Sequence, residues 1–190
     1  MTWNRRLESL LMLRSKVKGV DAQEVPLNEV SAKLDSSFLE DITVRTCFVT
    51  TLARSRQLIE ARTNEDGPAP PSPPPAINYW MSGDLNLVLD GSIREQAAEI
   101  LFETDNDLIS LASMVLDVIL QCPIDCRVPL VENLVFVGGT AMLPGLKARL
   151  IAEVRNLQQH PKYSSKIHIK HFKVHRPPAK ANYVAWLGGT

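Results

Sequence analysis

The chain has 190 residues, of which 45% are hydrophobic, so it is a globular protein able to bury a core and not a disordered chain. Its 21 Lys and Arg residues balance 21 Asp and Glu residues, and no net charge draws the whole chain to nucleic acid or to an anionic membrane. Three cysteines, an odd number, argue against a disulfide framework and favour a reducing compartment. No apolar run approaches the roughly 20 residues that span a bilayer.

The first third of the chain predicts helices joined by loops. Leu7, Leu10, Leu11 and Val17 form one apolar stripe, which predicts an amphipathic helix over residues 3–18, ended by Gly19. Residues 20–35 are expected to form a loop with a short helix after Pro26. The serines before Phe38 are suited to cap the next helix. A run of residues with high β-propensity follows this helix over 47–50. The segment "LARSRQLIEAR" at 52–62 is compatible with a helix.

Residues 64–76, "NEDGPAPPSPPPA", hold six of the thirteen prolines. Proline donates no backbone hydrogen bond, so this segment is expected to be an exposed loop or a polyproline II arm. Two interpretations stay open: a plain surface loop, or a ligand of the SH3 or WW type.

Strands and helices alternate in the rest of the chain. Residues 77–90 predict a β-hairpin that turns at Gly83 and Asp84, followed by a helix capped by Ser92 with Glu95 at the capping-box spacing. The next expected elements are a helix over 106–121 that buries residues including Leu108, a strand over 133–137 covered on both faces, a helix over 145–157, and an alternating strand over 166–174. This order predicts an α/β fold.

Residues 138–140, Gly-Gly-Thr, lie between the predicted strand at 133–137 and the following helix. Glycines let a backbone approach a ligand, and a helix amino end offers free N–H groups to an anion. The turn lacks the Lys-Ser pair of a Walker loop and the spacing of a dinucleotide fingerprint. Both a nucleotide-binding turn and a purely structural turn are compatible with it.

Longer segments resemble actin and the actin-related proteins. The stretch "CPIDCRVPLVENLVFVGGTAMLPGLKARL" at 122–150 is similar to the family's helix, "C-x-x-D-x-R" turn, buried strand and "GGT-x-M-x-PG", and residues 177–190 resemble its "PP" segment ending in "W-[IL]-GG-[ST]". Residues 41–49 and 91–103 fall in the family's order. The details "QCPID", "RTCFV", "PSPPP" and "PPAKAN" resemble the actin-related proteins at the pointed end of dynactin.

The resemblance implies one incomplete half of the actin-like ATPase fold, which is shared with Hsp70 and the sugar kinases. It implies an outer helical subdomain over 1–100, with the proline-rich loop at 64–76 and the hairpin at 77–90, and an inner α/β subdomain over 101–190, truncated at its C-terminus. The two aspartate hairpins that hold phosphate and metal in this family have no counterpart in the sequence. We therefore expect a fragment or a shortened product.

The resemblance also assigns four residues to a vestigial ATP cleft: Gly138, Gly139, Thr140 and Met142. The sequence departs from that of actin at two places. Thr43 and Val44 replace a Lys-Glu pair that contacts adenosine in actin, and Leu143 replaces a tyrosine beside the base. Phosphoryl transfer needs metal, phosphate clamps and a positioned water. We therefore expect no catalytic residue, no metal and no cofactor for this chain, with ATP possible in a full-length parent.

Two further patterns carry weaker functional interpretations. Cys122 and Cys126, with four downstream histidines, make a zinc site conceivable, although Pro123 disturbs the helical spacing. Residues 154–190 carry seven Lys or Arg residues, four histidines and no acidic residue. Because few aromatic side chains lie among these charges, a solvated face or an acidic protein partner is favoured over nucleic acid.

The function implied by the resemblance is that of a non-catalytic subunit of dynactin, in the cytoplasm and cytoskeleton, with the pointed-end subunits and the actin-related filament as partners. The outer subdomain, including helix 7–17 and the proline-rich loop, is expected to face those subunits. The alternative is a nucleotide-binding actin-like ATPase of cytoskeleton or chromatin. A third hypothesis is that the short chain does not fold alone and exposes apolar surface.

Overall fold

The computed structural model of the chain describes residues 2–19, 23–30, 34–64, 67–104 and 109–189. These residues divide into two compact units: Met1–Phe48 with Arg54–Ile100, and Val49–Ala53 with Leu101–Thr190. Each unit mixes helices with extended segments. The assignment of 1–100 and 101–190 to an outer and an inner subdomain stays a prediction. Nowhere in the described part of the chain is a helix both long enough and apolar enough to cross a membrane.

The first unit is built on a four-stranded antiparallel sheet with strand order β2-β1-β4-β3. The strands are β1 (Lys16–Lys18), β2 (Glu24–Pro26), β3 (Ile77–Ser82) and β4 (Leu85–Leu89). Its helices are α1 (Trp3–Arg14), α2 (Ser36–Thr46), α3 (Leu52–Thr63), which begins in the second unit, and α4 (Gly91–Gln96), with a short 3₁₀ turn at Leu27–Glu29 and another at Ala97–Leu101. The core comprises the fully buried side chains of Leu7, Leu11, Leu27, Ile42, Leu87, Leu89 and Ile93.

The predicted helix over residues 3–18 is wrong beyond Arg14. The Ser15 backbone is extended, with φ of −87° and ψ of 154°, and its N–H still bonds to Leu11 O. Residues 16–18 then gain ladder hydrogen bonds from β2 on one side and β4 on the other. Val17, 3% exposed, pairs with Leu87 across the sheet, because its alternation with two lysines suits a half-buried strand.

Helix caps in the first unit come from aspartates and not from the predicted serines. The Asp35 carboxylate accepts the Phe38 N–H at 2.7 Å, and the Asp90 carboxylate accepts the Ser92 N–H at 2.7 Å. The predicted capping box of Ser92 and Glu95 is therefore wrong. The Glu95 side chain is 1% exposed and binds Arg54 Nε at 2.7 Å, so an ion pair replaces the expected cap.

Other predictions for the first 100 residues have mixed outcomes. The helix at 52–62, the hairpin that turns at Gly83 and Asp84, and the short helical turn after Pro26 are confirmed. The described part of 64–76 has no helix or strand, as predicted. Residues 47–50 form no strand, because single hydrogen bonds, such as Phe48 N–H to Arg94 O, replace a ladder there. Residues 20–22, 31–33 and 65–66 lie outside the described part.

The second unit packs helices around an apolar cluster. These helices are α5 (Leu111–Gln121), α6 (Ile124–Val131), α7 (Leu146–Leu157), α8 (Pro161–Ser164) and α9 (Val184–Leu187), with a 3₁₀ turn at Thr140–Met142. Their cluster includes Leu116, Val131, Val154, Tyr163 and Ile167. The predicted helix at 145–157 is confirmed as α7. The helix predicted from 106 begins only at Leu111, capped by Ser110, and Leu108 lies outside the described residues.

The predicted strand at 133–137, covered on both faces, is wrong. Leu134 makes one isolated parallel bridge with Val174, and the Val135 and Val137 side chains are 53% and 48% exposed. Residues 166–174 also form no strand, although Ile167, Ile169 and Phe172 are buried as the alternation predicted. A strand needs neighbours on its ladder, and among the described residues each segment has only this single bridge to the other.

Candidate functional site

The glycine turn of the second unit is fixed at both of its ends. Before the turn, the Gly138 N–H donates to Ala181 O at 2.8 Å. After it, Leu143 and Leu146 are buried in the unit, and Pro144 O accepts the Val49 N–H at 2.8 Å. The four residues from Gly139 to Met142 make one tight helical turn. A hydrogen bond from the Met142 N–H to Gly139 O, at 2.9 Å, closes this turn.

The fold requires glycine at some of the positions 138, 139 and 145 but not at all of them. Gly145 has φ of +86°, and a Cβ there would lie 2.2 Å from Val49 O, so the fold itself requires glycine. Gly138 has φ of +105°, a conformation that side-chain-bearing residues rarely adopt. Gly139 has an ordinary helical backbone, and a Cβ on it would meet nothing within 4 Å. The fold therefore explains two of these glycines and leaves Gly139 unexplained.

The structure brings the four predicted nucleotide residues together in this turn. Gly139, Thr140 and Met142 are exposed, with Met142 at 47%, and Gly138 is half-buried. These residues offer backbone amides, one hydroxyl and one thioether, which suit the uncharged base or sugar of a nucleoside. None of the four carries the charge with which Lys, Arg or a metal neutralises phosphates. These four residues alone therefore supply no charge compensation for a nucleoside triphosphate.

Two of the three positions at which the sequence departs from actin, Thr43 and Leu143, make contacts within the fold. Thr43, in α2, accepts the Trp3 indole N–H at 2.8 Å and donates its hydroxyl to Leu39 O at 2.8 Å. Val44 is 71% exposed, whereas Leu143 is 7% exposed and packs in the second unit. Thr43 therefore serves the packing of α1 and α2, and Leu143 serves its own core.

The possible zinc ligands do not form a cluster in the part of the chain that the structure describes, where no three His, Cys, Asp or Glu side chains meet in a metal-binding arrangement. Cys122, half-buried, donates its thiol to Val118 O at 3.3 Å, and Cys126 is exposed on α6. His160 uses its ring Nδ1 to accept the Lys162 N–H at the start of α8. These contacts give Cys122 and His160 local structural roles.

A groove of about 650 Å³ in the first unit was not predicted from the sequence. It lies between α2 and β3, and its lining residues are Asp35, Ser37, Phe38, Asp41, Arg45, Asn78, Tyr79, Trp80 and Met81. Phe38 and Tyr79 pack edge to face, with ring centroids 5.6 Å apart. The sequence signal available for this groove was Trp80, an aromatic residue on the polar face of an alternating strand.

Hydrogen bonds fix the charges of this groove. The Asp41 carboxylate accepts the Tyr79 hydroxyl and the Arg45 guanidinium, and both bonds lower its pKa, the tyrosine bond most. Burial, with the same bond to Asp41, raises the pKa of Tyr79 to about 12. At neutral pH the groove therefore holds ionised aspartates beside a neutral tyrosine.

Comparison with known proteins now decides the family. The sequence model of the Actin family matches residues 37–190 of this chain. The chain belongs to the actin family. As an actin-family chain it has an actin-like fold, and its helices with a four-stranded sheet are consistent with an incomplete half of that fold, as predicted.

Three relatives place this actin-family chain among the actin-related proteins. Actin-related protein 10 of Dictyostelium discoideum is 29% identical over 80% of this chain and 34% of the relative. Actin-related protein 2 of Acanthamoeba castellanii is 29% identical over 60% of this chain and 30% of the relative. SWI/SNF and RSC complexes subunit arp42 of Schizosaccharomyces pombe is 37% identical over 43% of this chain and 18% of the relative. The chain thus spans between 18% and 34% of the length of these relatives.

Proposed function

We propose that this chain is a non-catalytic structural subunit of dynactin, at the pointed end of the actin-related filament, where it supports dynein-based transport along microtubules. The observation that carries the proposal is the alignment with actin-related protein 10, which covers 80% of the chain. Alignments with actin-related protein 2 and with arp42 cover 60% and 43%. The proposal places the chain in the cytoplasm, on the cytoskeleton.

The absence of catalysis is proposed from the chemistry of the glycine turn. Gly138, Gly139, Thr140 and Met142 supply no charge for phosphates, so the contact proposed for them is with adenosine, and bound ATP is proposed only for a full-length parent, if there is one. The purified chain is expected to hydrolyse ATP no faster than buffer in a single-turnover assay. Hydrolysis above the buffer control that survives further purification would contradict this part of the proposal.

The partner surface is proposed to lie on the first unit. Leu13, on the outer face of α1, is 75% exposed, and the proline-rich loop is exposed over much of its length. An apolar side chain on an otherwise polar helix face is suited to be buried against a neighbouring subunit. The neighbours proposed are the other pointed-end subunits and the end of the filament.

A tagged copy of the chain, expressed at low level in cytosol, tests the assignment. Affinity purification followed by mass spectrometry is expected to recover pointed-end and filament subunits of dynactin with the intact chain. The Leu13→Glu variant is expected to lose at least about tenfold of this recovery. Ile59→Glu, on α3, is the matched control, because Ile59 is a 55% exposed apolar residue of a helix in the same unit. Recovery of the chain without dynactin subunits would overturn the proposal.

A second candidate is a nucleotide-binding actin-like ATPase of cytoskeleton or chromatin. Two observations favour it: the similarity to arp42, whose name assigns it to SWI/SNF and RSC complexes, and the open space beside Gly139. This candidate predicts saturable ATP binding and co-purification with chromatin subunits. The same purification therefore distinguishes the two functions, because each names different proteins.

A further inference from the structure

The sequence of residues 67–76, here called the proline arm, favours an extended conformation. Its six prolines fix φ near −65°. Ala69 and Ser72 each precede a proline and are therefore confined to the β and polyproline II regions. The resulting polyproline II helix has three residues per turn, so residues three apart lie on the same face.

From Pro71 to Ile77, exposure follows this period of three, whereas Pro68, in the same register, is exposed. Pro71 and Pro74 are half-buried, as is Ile77, and every residue between them is exposed. One face of the helix therefore rests on the first unit. The other two faces, one carrying Ala69 and Ser72 and one carrying Pro70 and Pro73, point outward.

Three backbone contacts hold the proline arm against the first unit. Arg54 Nη2 donates to Ser72 O at 2.8 Å, and Arg94 Nη1 donates to Pro75 O at 3.2 Å. Pro74 O lies so close to Gly91 that a Cβ on this glycine would be 1.9 Å away. The arm therefore loses its conformational entropy when the chain folds and not when a partner binds, and this preorganisation favours binding.

The outward faces present two x-Pro dipeptides, Ala69-Pro70 and Ser72-Pro73, in the spacing x-P-x-x-P. Aromatic-lined grooves that recognise polyproline II helices take such dipeptides on two faces of the helix and leave the third face free. In this chain the face that a groove leaves free is the one that already rests on the protein. The fold therefore presents the arm in the orientation that a groove requires.

Charge distinguishes the two ends of the proline arm. In the sequence, the acidic residues Glu65 and Asp66 precede it. At the other end, the Arg94 guanidinium lies against Pro75 O, held by a bond from its Nε to Thr46 O at 2.9 Å and by the Phe48 ring. A partner groove that carries acidic side chains at one of its ends would bind with that end beside Pro75, because the Arg94 guanidinium lies there.

We propose that the proline arm is a preorganised docking site for an SH3 domain, whose aromatic groove takes Ala69-Pro70 and Ser72-Pro73 and whose acidic loop lies beside Pro75. The proposal rests on the geometry and charge of the arm and not on the assignment to dynactin.

An array of recombinant SH3 domains, with WW and EVH1 domains on the same array, tests the proposal against the purified 190-residue chain. At least one SH3 domain is expected to bind, and the double variant Pro70→Ala/Pro73→Ala is expected to weaken that binding at least tenfold, about 1.4 kcal/mol. The matched control Pro68→Ala/Pro71→Ala removes as many prolines from the other register and is expected to stay within about threefold of the parent. Unchanged circular dichroism and thermal melting establish that both variants are folded.

Three results would overturn the proposal: no SH3 domain binds, only WW or EVH1 domains bind, or both double variants weaken binding equally. A synthetic peptide of residues 67–76 tests preorganisation separately. It lacks the tethers from Arg54, Arg94 and Gly91, so it is expected to bind the same SH3 domain several-fold more weakly than the folded chain. Equal affinity of peptide and chain would refute the role of the tethers.

Discussion

The two units of the chain satisfy the backbone of their extended segments in different ways. In the first unit β1 has a partner on each side, β2 and β4, and β4 is shared between β1 and β3. In the second unit the segments 133–137 and 166–174 share one bridge, and Gln158 Nε2 donates to Ile167 O and Ile169 O at 3.4 and 3.2 Å. The difference teaches that an apolar alternation decides which side chains are buried, whereas a ladder also requires a neighbouring strand.

Exposure of apolar side chains follows the same division. The second unit contains most of the exposed large apolar side chains of the described residues, including Met114, Val118, Ile124, Val128, Val135, Val137, Tyr183, Trp186 and Leu187. In the first unit the central strand residues Leu87 and Leu89 are fully buried. Substitutions in the extended segments of the two units should therefore have very different effects on stability.

The largest expected effect is that of Leu87→Ala in the first unit. Leu87 is 0% exposed and pairs with both Val17 and Tyr79, so its truncation should lower the free energy of unfolding by about 3 to 5 kcal/mol. Val135→Ala in the second unit should change it by no more than about 0.5 kcal/mol, because Val135 is 53% exposed. Urea unfolding followed by circular dichroism measures both. A cost at Val135 equal to that at Leu87 would mean that segment 133–137 is a covered strand.

Local sequence signals predicted much of the fold and failed at identifiable places. Helices with a clear apolar stripe, such as α7, and the hairpin at Gly83 needed only nearby residues. Val17 continued the stripe of α1 equally well as helix or strand, and the choice depended on β4, some seventy residues away in sequence. The apolar run at 133–137 has the composition of a buried strand, but the strand prediction is wrong, because no local pattern reveals whether ladder partners exist.

A slightly smaller effect is expected for Arg54→Met, which leaves Glu95 without its partner. The Glu95 side chain is 1% exposed and accepts two bonds from the Arg54 guanidinium, at 2.7 and 3.1 Å. Removing one partner of a buried pair leaves an uncompensated charge, and the free energy of unfolding should fall by about 3 kcal/mol. Urea titration at neutral pH gives the value.

Lys16→Met is the matched control for Arg54→Met. Lys16 and Glu24 form an ion pair at 3.0 Å in the same unit, but their side chains are 56% and 42% exposed. Exposed pairs contribute little because water and salt screen them, so this variant should unfold at nearly the parent's urea midpoint. If both variants lost the same stability, the burial of Glu95 would not be the cause.

Gly145→Ala and Gly139→Ala separate the structural part of the glycine turn from its possible binding part. At Gly145, the positive φ and the contact with Val49 O should cost about 2 kcal/mol or more when a Cβ is added. At Gly139, the backbone is helical and the space is open, so alanine should be neutral or stabilise by about 0.5 kcal/mol. Thermal melting of both variants tests this. A destabilised Gly139→Ala variant would indicate a structural reason for this glycine that the geometry does not contain.

The candidate sites were predictable to different degrees for a physical reason. The resemblance assigned Gly138, Gly139, Thr140 and Met142 to a nucleotide cleft, which stays a prediction, and the four meet in one turn because they are nearly consecutive. The sequence could not locate the groove between α2 and β3, since Asp41 and Tyr79 meet only after the sheet has formed. Nor could it distinguish Gly145 from Gly139, because the requirement for glycine at 145 comes from Val49 O, far away in the sequence.

The last prediction concerns alkaline pH and the groove of the first unit. Burial raises the pKa of Tyr79 from 10.0 to about 12, with a further contribution from its hydrogen bond to Asp41. A raised folded-state pKa stabilises the fold fully below the unfolded-state value and loses that contribution as pH rises from 10 to 12. Stability should therefore decline over this window in the parent and decline less in Tyr79→Phe, which has no hydroxyl to titrate. Ultraviolet absorbance titration of tyrosinate, compared between the two proteins, identifies the group, and a Tyr79 that ionises near pH 10 would show that the hydroxyl does not face Asp41 in solution.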